Sequence, residues 1–480
     1  MKIAVLVKQV PVRSAVRFDP ETRRLVREGV PSVVSSFDVR VLARAVELKE
    51  KLGGDVVALT MGPAPARAAL AHCLALGADR GIHLVDRAFA GADTLATARV
   101  LARALARECF DLVLCGRSSE DVGTGQVGPE VAELLGVVQV TGARRLEIER
   151  GTDRLRVERE TDDGCETVET RLPALLTAAG DFAEERLPSE AGLQEAGAKP
   201  ILEAGAADLG IDTEEVGEPG SPTEVAGLYV VGSTSEARVI EGRSVADVHP
   251  APDRPRELRG PGYWVVAELL GGEVRPVTFE LLGKAGELAE QHGGHVVGLL
   301  VGGPAVAEHV DPIAAHGADI VCVADDMRLE PYTTDAHAAV VAEAIRTRQP
   351  AAVLIASTAI GRDLAPRVAA RLGLGLAGGC IDLAVADDGR LVQCEPVCGA
   401  DLTARVLSRT LPAIATVRPG MLAACQPSWA RRIQWERLAV GSLGSGRLRV
   451  VARSVAGRPA VSALETPGVV SRGSATHRAE

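Results

Sequence analysis

The chain repeats itself once. Gly53-Gly54-Asp55-Val56-Val57 recurs as Gly293-Gly294-His295-Val296-Val297, and Gly77-Ala78-Asp79 as Gly317-Ala318-Asp319, both at an offset of 240 residues. Leu172-Pro173-Ala174 recurs as Leu411-Pro412-Ala413 at 239, and Pro129, Val131, Ala132 and Gly136 answer to Pro366, Val368, Ala369 and Gly373 at 237. An offset this constant over so long a stretch means two copies of one domain. The step down to 237 places three extra residues in the first copy, between Cys115 and Pro129.

Each copy alternates short apolar runs with amphipathic ones. In the first, Lys2 to Val7 reads as a buried strand. Asp38 reads as the cap of a helix that carries Val41, Ala45, Leu48 and Leu52 and closes at Gly53. Val56 to Met61, Gly81 to Val85 and Asp111 to Cys115 are further strands, with helices over Ala66 to Leu76 and from Asp93. The second copy repeats the first helix with Leu281, Ala285, Leu288 and His292, closed by Gly293. Buried strands alternating with helices of this kind predict an α/β fold of two homologous doubly wound parallel-sheet domains. Such sheets bind nucleotides at the C-terminal ends of their strands. Residues 205–261 are rich in proline and glycine and read as an extended arm joining the copies. The expected organisation is therefore 1–204, an arm over 205–261, 262–420, and a 421–480 segment with one strand near Arg447 to Val451 and a disordered tail.

Composition narrows the function. Against 53 basic residues stand 64 acidic ones, a net charge of −11 with no basic stripe. Aromatic residues make up 2% of the chain, too few for base-stacking platforms. Nucleic acid and anionic membrane are thus unexpected partners. No apolar run reaches the ~18 residues a membrane span needs. The first ten residues lack a signal-peptide pattern, so the expected location is cytoplasmic. Nine scattered cysteines argue against a disulfide framework, and the one close pair, Cys394 and Cys398, has no partners to complete a zinc set. No nucleophile elbow and no His–acid metal spacing occur. Glu120 and Asp121, as loop neighbours, do not converge on one target, so no catalytic or metal site is expected.

The extra residues of the first copy fall in its most distinctive stretch. After the strand ending at Cys115 comes Gly116-Arg117-Ser118-Ser119-Glu120-Asp121-Val122-Gly123-Thr124-Gly125-Gln126-Val127-Gly128-Pro129, and then a helix. Glycines ahead of a helix N-terminus let main-chain N–H groups approach an anion, and Thr124 and Gln126 can add side-chain hydrogen bonds. The spacing is neither that of a P-loop nor GxGxxG, and a Gly-rich connection without ligand is the plain alternative. At the same place the second copy has Ala356-Ser357-Thr358-Ala359-Ile360-Gly361-Arg362-Asp363-Leu364, shorter and poorer in glycine. This asymmetry predicts one nucleotide site, with the second copy packed against a partner there.

Val157-Glu158-Arg159-Glu160, Gly164, Glu166, Val168, Leu172-Pro173-Ala174 and Thr177 closely resemble the beta-subunit signature of the electron transfer flavoproteins. Lys8-Gln9-Val10-Pro11 and Leu76-Gly77-Ala78-Asp79-Arg80 resemble beta subunits too. Gly361-Arg362-Asp363-Leu364-Ala365-Pro366-Arg367-Val368-Ala369 and Thr416-Val417-Arg418-Pro419 resemble alpha subunits. The resemblance spans roughly 1–240 and 262–420 and is that of a beta subunit fused to the N-terminal domain of an alpha subunit. It implies domains of the adenine-nucleotide-hydrolase-like kind and a role as electron carrier between a flavin dehydrogenase and a respiratory or ferredoxin-linked acceptor.

By matched position, the resemblance implies a beta-type site lined by Leu6, Ser35, Met61, Asp121, Gly123, Thr124, Gly125, Gln126 and Val127, holding AMP or FAD. Ser35-Ser36 stands where the family usually has Asn-Pro, and Gly123 where an Asp is common, so AMP and FAD stay alternatives. The glycine-rich motifs of the alpha FAD domain are not found, although Val469-Val470-Ser471-Arg472-Gly473 resembles the strand entering it. A redox FAD is expected only with a separate flavin domain. Arg186, Pro188 and Gly192 match the family's partner-docking loop, but Glu190 replaces its usual leucine anchor. Burying that charge unpaired is costly, which argues against the usual dehydrogenase partner. The other reading is a non-redox AMP-binding scaffold that docks a separate flavoprotein.

Overall fold

The structure, a computed structural model, describes residues 1–12, 15, 17–19, 24–26, 29–230, 250–397, 402–443 and 446–455. Cys398 and the Val469–Gly473 run lie outside the described residues.

Two sheets with one topology organise the chain. In the first, seven parallel strands lie in the order Ile201–Ala204, Arg80–Leu84, Asp55–Met61, Lys2–Leu6, Leu112–Gly116, Ala174–Ala178, Val138–Ile148. In the second the order is Gln434–Arg437, Ile320–Asp325, His295–Gly302, Gly262–Val266, Ala352–Ala356, Ala413–Val417, Leu376–Cys380, again all parallel. Strand for strand the two orders coincide, as the 240-residue repeat requires. Helices cover both faces of each sheet and bury separate cores. The Ser36–Leu52 helix buries Val39, Val41, Leu42, Ala45, Val46 and Leu48, one apolar stripe at helical spacing. Each large aliphatic side chain so buried stabilises by ~1.5–3 kcal/mol.

The repeated glycine and aspartate motifs serve the N-terminal ends of the strands, and the Pro129–Gly136 repeat forms equivalent helices. A Cβ on Gly54 would fall 1.9 Å from the Met1 carbonyl oxygen, and one on Gly294 2.3 Å from that of Pro261. Asp79 accepts the N–H of Val56 at 2.8 Å, and Asp319 that of Val296 at 2.8 Å. These residues start strands.

One described strand of the arm and one after the second copy each complete the other copy's sheet. Beyond the parallel strands of the first copy, an antiparallel extension runs Val138–Ile148, Arg154–Thr161, Gly164–Arg171 and then Arg449–Val455, which comes from the chain after the second copy. Correspondingly, Asp382–Val385, Leu391–Val397 and Leu402–Ser408 form an antiparallel sheet finished by Thr223–Val230, which comes from the arm. An open edge offers unpaired N–H and C=O groups, and the exchanged strands cover both.

The seam between the copies is polar and buried. The Asp363 carboxyl accepts from Gln139 Nε2 at 2.8 Å, Thr141 Oγ1 at 2.7 Å, Tyr332 Oη at 2.8 Å and Thr334 Oγ1. Arg159 pairs with Glu166 at 2.6 Å and lies 3.9 Å from Asp363. Arg367, 2% exposed, donates to the Val137 carbonyl at 3.0 Å and pairs with Asp335 and Glu133. Arg159, Glu166, Asp363 and Arg367, all members of the family-like runs, are thus among the residues that form the seam.

Candidate functional site

Leu6, Met61 and Gly116 end three adjacent strands at the C-terminal edge of the first sheet, where Leu6 stands in register with Leu59 and Cys115. The loop from Arg117 to Gln126 leaves this edge and feeds the Val127–Leu135 helix. Gly123 has φ +75° and Gly125 φ +67°, a region closed to most side chains. A Cβ on Gly125 would also stand 2.9 Å from the Arg117 carbonyl oxygen. The result is a run of five N–H groups, from Gly123 to Val127, that donate to no acceptor among the described residues. They lead directly into a helix N-terminus, where the macrodipole adds partial positive charge.

The first turn of the Ser36–Leu52 helix grips this loop. Ser35 is the N-cap residue, and Asp38 does not cap the helix; its buried carboxyl turns inward and accepts the main-chain N–H of Lys8 at 2.8 Å and of Gly116 at 3.0 Å. Glu120 accepts from the N–H of Ser36 at 2.8 Å and from its hydroxyl. Asp121 pairs with Lys8 at 2.7 Å. Burial pushes the Asp121 carboxyl up, but Lys8, Ser119 and the Val122 N–H outweigh it and hold it below the usual range. Lys8, Ser36 and Asp38 were not among the residues expected to build the site, although Lys8 precedes Gln9-Val10-Pro11 in the family-like run.

Of the residues expected to line the site, Leu6, Ser35, Met61, Asp121, Gly123, Thr124, Gly125, Gln126 and Val127 all lie at this one end of the sheet. Gln126 differs from the rest in where its side chain goes. Its amide accepts from Thr94 Oγ1 at 2.7 Å and donates to the Leu376 carbonyl of the second copy at 3.4 Å, so it faces the seam. The buried hydroxyls of Ser35 and Thr60 and the Nδ1 of His83 make no hydrogen bond that meets ordinary geometry among the described residues. Thr60 and His83 are register partners near the ends of neighbouring strands. Orphaned polar atoms and unpaired N–H groups at one strand edge suit a polar, anionic ligand such as an adenine nucleotide.

The equivalent place in the second copy is filled from within. The Ala359–Leu372 helix starts there, and its Ala359 N–H donates to both carboxylate oxygens of Asp162, each at 3.1 Å. Asp162 is at the tip of the first copy's Arg154–Arg171 hairpin and pairs with Arg275. Glu268 accepts from Arg275 at 2.7 Å and from Thr358 Oγ1 at 2.6 Å, and burial pushes it up to about 7. A side-chain carboxylate thus stands on the second copy's helix where the first copy presents bare N–H groups. Two cavities, of about 770 and 710 Å³, lie away from the loop. The larger is at the N-terminal strand ends of the second sheet, the smaller where the arm meets both copies.

On the docking side, Arg186 pairs with Glu50 at 3.3 Å. Pro188 leads into the Glu190–Ala196 helix, which starts at an exposed Glu190. A Cβ on Gly192 would fall 2.3 Å from the Ala75 carbonyl oxygen, so this helix lies tight on Arg67–Ala75. Leu187 and Leu193 are 84% and 60% exposed.

Fold and site define a pair of homologous α/β domains interlocked in one chain, with the helix N-terminus open in one copy and occupied by a side-chain carboxylate in the other. The electron transfer flavoprotein domain model matches residues 22–209 and 263–443, and the chain belongs to that family. It is 44% identical over 243 residues to the electron transfer flavoprotein subunit beta of Thermoanaerobacterium thermosaccharolyticum, covering 50% of this chain and 93% of that one. It is 38% identical over 250 residues to the Caffeyl-CoA reductase-Etf complex subunit CarD of Acetobacterium woodii (52% and 95% covered). It is 36% identical over 243 residues to Protein FixA of Azorhizobium caulinodans (49% and 86% covered). Each of these relatives accounts for about half of the chain, consistent with a beta-subunit-like half fused to a second domain of the same family. No helix among the described residues is long and apolar enough to cross a membrane.

Proposed function

We propose that the first copy binds one adenine nucleotide, AMP or the AMP half of FAD, and that the chain carries electrons within an electron transfer flavoprotein system. The observation that carries this reading is the run of five unpaired N–H groups at Gly123 to Val127, set at the helix N-terminus of an electron-transfer-flavoprotein domain. Main-chain N–H groups of the loop hold the phosphate, Leu6 and Met61 pack against the base or ribose, and Lys8 balances the loop's acidic side chains. A bound flavin supplies the redox chemistry; the chain holds, orients and shields it. We assign the redox FAD to a flavin domain that works together with this chain. The partners are then that flavin-bearing protein, a flavin dehydrogenase as donor, and a respiratory or ferredoxin-linked acceptor. Exposed Leu187 and Leu193 flank Glu190 and supply the apolar contact that Glu190 cannot.

The absorbance spectrum of the desalted protein between 300 and 550 nm, with chromatography of the nucleotide released on denaturation, tests the reading. Released FAD with visible absorbance supports electron carriage by this chain. Released AMP without colour supports the scaffold reading, in which the nucleotide is structural and redox chemistry lies in a docked flavoprotein. A chain that neither retains nor rebinds an adenine nucleotide contradicts both.

A further inference from the structure

The buried carboxyl of Asp38 touches the strand end from which the candidate loop leaves and the end of the neighbouring strand. Lys8 follows the Lys2–Leu6 strand and Gly116 ends the Leu112–Gly116 strand; Asp38 accepts one main-chain N–H from each. At Gly116 there is no room for adjustment, because a Cβ there would meet Asp38 Oδ1 at 2.7 Å and Phe37 Cβ at 2.6 Å. From Lys8 the tie continues through its ammonium to Asp121 and Ser119, and from Gly116 it continues directly into Arg117. The Lys8 N–H donates nowhere else among the described residues, so it depends on this one carboxyl. The geometry points to Asp38 as the positioning residue of the cradle: its ionised carboxylate holds the ends of both strands, and nucleotide binding is linked to ionisation of this one buried group. The inference rests on the reading of the cradle as an adenine-nucleotide site.

A carboxylate accepts two N–H bonds, one at each oxygen. A protonated carboxyl gives one of those oxygens a hydrogen of its own, which weakens the grip on Lys8 or Gly116. The surroundings place this change near neutrality. Burial pushes Asp38 up to about 7, the Lys8 and Gly116 N–H bonds pull it down, and the neighbouring Glu120 raises it while the Lys8 ammonium lowers it. Cys73 of the Arg67–Ala75 helix and Cys115 also face it; burial pushes both thiols up, so they stay neutral throughout this range.

The test is AMP affinity by calorimetry between pH 6 and 8, for the full chain and for Asp38→Asn. The titration of the AMP phosphate affects both chains alike, so the difference isolates Asp38. The expected result is an affinity gain with pH that is about ten-fold larger in the native chain, the worth of one hydrogen bond to a charged group. Asp38→Asn should show only the gain that the AMP phosphate itself brings. Parallel profiles overturn the inference and leave the nucleotide reading intact. Absence of AMP binding by the native chain at every pH overturns that reading, and the inference with it. Should Asp38→Asn fail to fold, the native chain decides alone. Binding of ADP-ribose, which has no group titrating in this range, must release a proton near pH 6.5, measured in two buffers of different ionisation enthalpy. No release overturns the inference.

Discussion

Gly125 and Arg159 show two different demands on single residues. Gly125 sits at φ +67° against the Arg117 carbonyl, on the surface of the cradle. Gly125→Val should lower AMP affinity more than ten-fold while costing only about 1–2 kcal/mol of stability, the penalty of a side chain in the left-handed region. Calorimetric titration and urea unfolding measure the two effects separately. Arg159 lies within the seam, paired with Glu166. Arg159→Ala leaves a buried carboxylate unpaired and should cost about 3–5 kcal/mol, whereas replacing both partners by methionine should cost far less. Urea midpoints of the single and double variants check this. Some of this was legible in the sequence. The glycines ahead of a helix identify the loop, since only that backbone geometry demands them. The destination of Asp38 was not legible, because an acidic residue at a helix start reads as a cap whether its carboxyl turns to its own helix or to a neighbouring strand. The same holds for Gln126, whose amide reaches residues some 250 positions away.

At the scale of elements, the two helix N-termini differ in what stands on them. The first copy's Val127–Leu135 helix and the loop before it keep their N–H groups unpaired, while the second copy's Ala359–Leu372 helix holds the carboxylate of Asp162. Asp162→Ala should destabilise the chain by about 2 kcal/mol, the upper range for a charge at a partly buried helix end. It should leave AMP affinity unchanged, because the open cradle is in the other copy. Denaturant unfolding and AMP titration of the same variant test both halves of that statement. The missing glycines announced the asymmetry, and the hairpin that fills the place supplies its reason. The exchanged strands were illegible for a simple reason. Alternation marks Thr223–Val230 or Arg449–Val455 as extended, but a period of two carries no information about which sheet edge the strand pairs with.

For the whole molecule, strand exchange and the Asp363 seam leave neither copy complete alone. Calorimetric unfolding should therefore show one cooperative transition, where two independent domains would give two. Buried acids set its pH dependence. Burial pushes Asp38, Glu268 and Glu395 each up to about 7, so the folded chain holds protons that the unfolded chain has released. Stability from these groups is present at low pH and is lost as pH rises toward and through 7. His337 works the other way, since burial pulls it down to about 4, but its contribution changes only below about pH 6.5. Between pH 6.5 and 8 the melting temperature should fall, and fall less in saturating AMP if ionised Asp38 is the binding form. The repeat made the two-sheet architecture readable because its motifs start equivalent strands; the interlock depends on contacts between distant segments that no local pattern records. The central claim is one adenine nucleotide per chain, held by the first copy's loop. Equilibrium dialysis of the nucleotide-stripped chain against labelled AMP, beside Gly125→Val, tests it most directly. The account predicts one AMP per native chain and a more than ten-fold weaker site in the variant. Two AMP per chain, or one that survives Gly125→Val undiminished, would contradict it.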